Sequence, residues 1–169
     1  MQKIVRKNLP FHCQHLNLHA ILKKKILKAK KKNGGFTMLV QFSLTNYKNF
    51  KETQALDLTE GKISEHARHL LKSPIDRLGI LPAAVIYGPN GSGKTNLLKA
   101  LWHLRTLILD APSVWNEDCA FCFDPASQKS PTEYEIIFRV EQMEYNYQLK
   151  MTPRGLTEEN LFARRLQDS

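Results

Sequence analysis

Gly88-Pro89-Asn90-Gly91-Ser92-Gly93-Lys94-Thr95 satisfies the pattern G-x-x-x-x-G-K-[ST] at every fixed position. A short apolar run, Ala83-Ala84-Val85-Ile86-Tyr87, precedes it. A helical pattern follows, with Leu97, Leu101, Leu104 and Ile108 on one stripe. Strand, glycine-rich loop and helix is the context this pattern requires. The glycines let backbone amides approach a ligand closely. Those amides converge as an anion nest at a helix N-terminus, where the dipole and the unpaired donors favour phosphate. In that geometry Lys94 reaches the β- and γ-phosphates as a point charge, and the Thr95 hydroxyl is the candidate ligand for Mg²⁺. Pro89, Asn90, Ser92 and Asn96 complete the candidate nucleotide-binding stretch. The competing explanation is a glycine-rich turn that matches by chance, and the flanking strand and helix patterns weigh against it.

At 169 residues the prior is one domain, with room for an appendage. The formal charge of +9 resembles a nucleic-acid signal until it is located. Residues 1–37 hold ten of the 25 Lys and Arg and no acid, which leaves 15 basic residues against 16 acids over 38–169. The basic character therefore belongs to a leader, residues 1–37, and not to the domain, residues 38–169. Ile21, Leu22, Ile26 and Leu27 interleave with the leader's lysines, compatible with a short basic helix for DNA, RNA or an anionic surface. A solvated, disordered tail is equally compatible, and the favoured expectation is that natural translation begins at Met38. His12, Cys13, His15 and His19 lack the second Cys pair that a zinc finger needs. Three cysteines, Cys13, Cys119 and Cys122, build no disulfide framework, so a reducing cytoplasm is the expected compartment. No apolar run approaches the roughly 20 residues of a membrane span.

Along the chain, Met38 to Leu44 and Thr53 to Leu58 alternate as a β-hairpin around the turn Thr45-Asn46-Tyr47-Lys48-Asn49-Phe50. Gly61 to Gly79 reads as a loop. The helix after the phosphate loop is expected to stop near Asp110, ahead of Pro112. Cys119-Ala120-Phe121-Cys122-Phe123 reads as core or strand packing, because a single Cys-x-x-Cys completes no zinc site. Thr132 to Val140 and Tyr145 to Met151 predict a second hairpin around residues 141–144. Leu156 to Leu166 is compatible with either a strand or a short helix.

Phe42-Ser43-Leu44-Thr45-Asn46-Tyr47-Lys48-Asn49-Phe50, taken with the run from Gly88 to Leu101, resembles the amino-terminal lobe of ABC-type ATPase heads. Within these it is similar to the RecF, SMC and Rad50 group, and most of all to bacterial AAA-annotated ATPases related to OLD-family and abortive-infection proteins. Phe123-Asp124-Pro125 and Pro131 to Ile136 share that likeness, which spans Met38 to Ser169. The resemblance implies an α/β (α+β) fold: a P-loop NTPase core carrying an antiparallel β-hairpin lobe. It also implies ATP with Mg²⁺ as cofactors and a head that dimerises around nucleotide. Lys48 and Asn49 match the turn that lies near the nucleotide in relatives.

The departures from the family are as informative. Hydrolysis there needs an acidic metal ligand and a catalytic carboxylate at the end of a later apolar strand, a Gln loop, a signature motif and a switch His. Leu107-Ile108-Leu109-Asp110 has the right letters, but it continues a helical stripe and cannot double as that strand. No Ser-Gly-Gly signature occurs, so no catalytic residue is identified. The expectation is an amino-terminal piece of a head that binds ATP and associates with a missing carboxy-terminal half, in phage defence or DNA maintenance. The alternatives are a nucleic-acid-binding module led by the basic tail and an inactive truncated remnant.

Overall fold

The protein is seen in a computed structural model that describes residues 2–5, 37–61, 67–72, 78–109 and 118–167. Its centre is a six-stranded antiparallel sheet in the order β1-β8-β7-β6-β2-β3. The strands are β1 (Gln2–Val5), β2 (Thr37–Thr45), β3 (Gln54–Asp57), β6 (Thr132–Val140), β7 (Met143–Thr152) and β8 (Gly155–Arg165). A small pair, β4 (Leu71–Lys72) with β5 (Gly79–Ile80), stands beside it. Two helices complete the described chain: α1 (Lys94–Leu109) and α2 (Pro125–Lys129).

Side chains on a strand alternate between faces, so the cross-strand register assigns the core. One face carries Leu44, Tyr134 and Leu149 in one row and Phe42, Ile136, Tyr147 and Leu161 in the next. Helix α1 lays Ala100, Leu104, Leu107 and Ile108 against this face, with Leu97 and Leu101 at the margin. Six of its sixteen residues are Leu, a good helix former, and it holds neither Gly nor Pro. The other face is polar. Glu135 accepts hydrogen bonds from Asn146 Nδ2 at 2.7 Å and Gln148 Nε2 at 2.9 Å, and Lys150 pairs with Glu133 at 3.0 Å. At its far end the buried Arg139 and the more exposed Arg164 both grip Glu144, at 2.9 and 2.6 Å. A register shift between Leu39 and Gln41 turns the start of β2. Met38 and Val40 thereby join Ile80 in a second cluster, edged by Leu58, Leu78 and Ile137.

Several expectations are corrected in detail. The second hairpin turns in two residues, Glu141-Gln142, with Glu141 at φ 55, so β7 begins at Met143 rather than Tyr145. Leu156 to Leu166 resolves as a strand, because it pairs along the whole of β7. Part of the expected loop 61–79 is ordered: Leu71 and Lys72 pair with Ile80 and Gly79. Helix α2 went unread, although Asp124 caps its first turn and Pro125 opens it. Gln2–Val5, in the leader, pairs with β8. The cluster of His12, Cys13, His15 and His19 falls outside the described residues, as does Asp110.

The largest departure is Ala83 to Tyr87. This run reads as a buried strand, yet among the described residues it has no strand partner. Val85 is 87% exposed and Tyr87 91%. Leu58 and Leu81 tie the chain down just upstream, with Leu81 N donating to Leu58 O at 2.8 Å. Beyond that point the run is exposed except for the half-buried Ile86. Leu98 and Trp102, on the outer side of α1, are also open to solvent, and Arg105 lies 5.0 Å over the Trp102 ring.

Candidate nucleotide-binding site

Residues 88–93 form the loop that delivers the chain into α1. Gly91 and Gly93 sit at φ +83 and +94, which side-chain-bearing residues avoid. Gly93 caps the helix: its carbonyl accepts the first intrahelical bond, from Leu97 N at 2.9 Å. The amides of Lys94, Thr95 and Asn96 thus fall in the first turn, where no carbonyl lies one turn behind them. They present donors and the positive end of the helix dipole to whatever occupies the loop.

Lys94 folds back over the loop. Its ammonium donates to the Gly88 and Pro89 carbonyls, both at 2.7 Å. These bonds hold a positive charge at the mouth of the loop, beside the first-turn amides. Thr95 is exposed. Asn90, Gly91 and Ser92 are likewise exposed along the loop, and Ser92 N closes a tight turn onto Pro89 O at 3.3 Å. The glycine cradle, free helix-start donors, lysine and threonine are the groups that a magnesium-bound triphosphate would need.

The two residues expected from the β2–β3 turn behave differently from each other. Asn49 lies against the loop: its Oδ1 accepts from Asn96 Nδ2 at 2.7 Å, and its Nδ2 abuts Gly93. Lys48 points away, donating from Nζ to Asp118 O at 3.0 Å and from its amide to Cys119 O at 2.7 Å. It sits at φ 51, the first residue of a two-residue turn closed by reciprocal 2.8 Å bonds between Tyr47 and Phe50.

Sequence reasoning missed Asn46. This residue is buried, at φ 55. Its Nδ2 donates to the carbonyls of Ser127, Ser130 and Pro131 at 2.8, 2.9 and 3.2 Å. Its Oδ1 accepts from Phe121 N at 3.0 Å, and its own carbonyl accepts from Thr132 Oγ1 at 2.8 Å. One residue therefore fastens the turn to the segment from 121 to 132. The available signal was an asparagine at a turn, a residue that tolerates left-handed backbone. Next to it, Lys51 pairs with Asp124 at 2.9 Å. That ammonium, the Ser127 hydroxyl and the Ala126 amide hold the Asp124 carboxyl down at about 2. The Cys-x-x-Cys splits, with Cys119 buried in the core and Cys122 exposed. Among the described residues no group of His, Cys, Asp or Glu is arranged to hold a metal on its own.

A phosphate loop at the start of a helix, packed on an antiparallel β lobe, defines a P-loop ATPase of the AAA type. The chain belongs to the family described as "AAA domain, putative AbiEii toxin, Type IV TA system", whose family model matches residues 83–168, half of the chain. The match opens on the apolar run before the loop and extends through β8. Among curated proteins none matches the chain. No described helix is long and apolar enough to cross a membrane.

Proposed function

We propose that the chain binds ATP with Mg²⁺ through Gly88 to Asn96, as the amino-terminal part of an ABC-type head of the RecF, SMC and Rad50 kind. Lys94 carries this proposal: its ammonium is fixed between two loop carbonyls, beside helix-start amides with no helical acceptor. The loop amides cradle the phosphates, Lys94 neutralises their charge, and Thr95 ligates the metal. ATP rather than GTP, and a role in phage defence or DNA maintenance, rest on family likeness.

Hydrolysis in this proposal requires groups from a second half of the head or from a second head. Phosphoryl transfer depends on charge stabilisation around the γ-phosphate. The loop, Lys94 and Thr95 supply only one side of it. The exposure of the large apolar side chains Val85, Tyr87, Leu98 and Trp102, on the two segments that flank the loop, supports the same view.

Thermal unfolding of the full chain with and without Mg²⁺-ATP tests the proposal. A ligand present at 100 times its Kd adds about 2.7 kcal/mol to the folded state, so the midpoint rises by several degrees in the native chain and not in Lys94→Ala. No shift in the native chain refutes nucleotide binding. Brisk, Lys94-dependent ATP hydrolysis by this chain alone refutes the need for further groups.

A further inference from the structure

We propose that Asn49 is a positioning residue for the phosphate loop, and that the β2–β3 turn sets the nucleotide site from the lobe side. This rests on the nucleotide-binding proposal above and adds what shapes the site. Asn49 acts at two points of one helical turn. Its Oδ1 holds Asn96, in the first turn of α1, and its Nδ2 lies against Gly93, the helix cap. The Lys94 and Thr95 amides lie between these two points. Phe50 closes on the same glycine, its Cζ 2.6 Å from where a Cβ would stand. With Oδ1 holding Asn96 and Nδ2 packed against Gly93, Asn49 acts on a phosphate through the loop.

The turn is itself braced from behind. Tyr47 and Phe50 close it, Lys48 fastens it to Asp118 and Cys119, and Asn46 fastens it to Phe121, Ser127, Ser130 and Pro131. On the loop's other side the run 83–87 has no strand partner among the described residues, and Val85 and Tyr87 stand in solvent. The described support for the loop therefore comes from the lobe. Anion recognition by amides needs them aligned to within about 0.5 Å, and a contact that fixes both ends of their turn supplies that alignment.

The test is a double-mutant cycle in the full chain: Asn49→Ala, Asn96→Ala and the pair, each titrated with Mg²⁺-ATP and unfolded in urea. Each single change is expected to weaken ATP binding about tenfold, with the pair no weaker than either alone, since one contact is lost in all three. Unchanged affinity in Asn49→Ala overturns the proposal, and so do losses that multiply in the pair. If Asn49→Ala does not fold, amide exchange at Leu97 in Asn96→Ala, which breaks the same bond from the helix side, decides the matter. A second readout needs no nucleotide: amide hydrogen exchange at Leu97, whose bond to Gly93 O closes the first turn of α1. Faster exchange in Asn49→Ala than in the native chain supports the proposal, and identical exchange overturns it. A native chain that binds no ATP refutes the proposed function, and exchange then decides the role of Asn49 separately.

Discussion

The Phe50 ring fills the space that a side chain at Gly93 would need. Gly93→Ala therefore has two costs, a strained φ of +94 and a Cβ 2.6 Å from the ring. Together these should destabilise the fold by about 2–4 kcal/mol. Gly91 has a similar φ of +83 but open space around it, so Gly91→Ala should cost only about 1–2 kcal/mol. Urea unfolding of the two variants side by side checks the difference.

Asn46 serves three carbonyls and one amide from a buried position. Asn46→Ala takes these bonds away, leaving Ser127 O only its bond from Ser130 N at 3.1 Å, and should cost about 2–4 kcal/mol. Asn46→Asp retains the acceptor for Phe121 N but turns a carboxylate toward three carbonyls. It should be at least as damaging at neutral pH and partly relieved in acid, as thermal unfolding at two pH values would show.

The Asp124 carboxyl sits at about 2, held down first by the Lys51 ammonium and then by Ser127 and Ala126. Its ordinary value in an unfolded chain is about 3.9. The folded state thus binds this proton less readily than the unfolded state does. The stabilisation is fully present above about pH 4 and is lost as the pH falls toward 2. Asp124→Asn keeps the cap on Ala126 N but cannot pair with Lys51. Its melting temperature should lie below that of the native chain at pH 6, and the gap should close by pH 2. A gap that persists at pH 2 would assign the effect to something other than ionisation.

The strands were legible where pattern and partner coincide. Tyr145 to Met151 alternates because Tyr145, Tyr147, Leu149 and Met151 face the core and the residues between them are half-buried on the other face, so period and burial agree. Helix α1 was legible for the same reason, its stripe of Leu104 and Ile108 being the buried one. Leu156 to Leu166 was undecided, because its strand character comes from pairing with β7 rather than from its own period. Ala83 to Tyr87 misled in the opposite direction. Its composition is that of a strand buried on both faces, yet only Ile86 is even half-buried.

The amino-acid order alone determined the phosphate loop, since a G-x-x-x-x-G-K-[ST] spacing and a helix start are local facts that each residue's own backbone freedom and charge dictate. Only the tertiary structure decided what steadies that loop. Asn49 and Asn96 are 47 residues apart and Asn46 and Ser127 are 81 apart, and neither pairing leaves a trace in local period or propensity. Such contacts exist because the sheet and α1 bring the β2–β3 turn, the 118–131 segment and the helix start to one place, where polar groups removed from water must find each other.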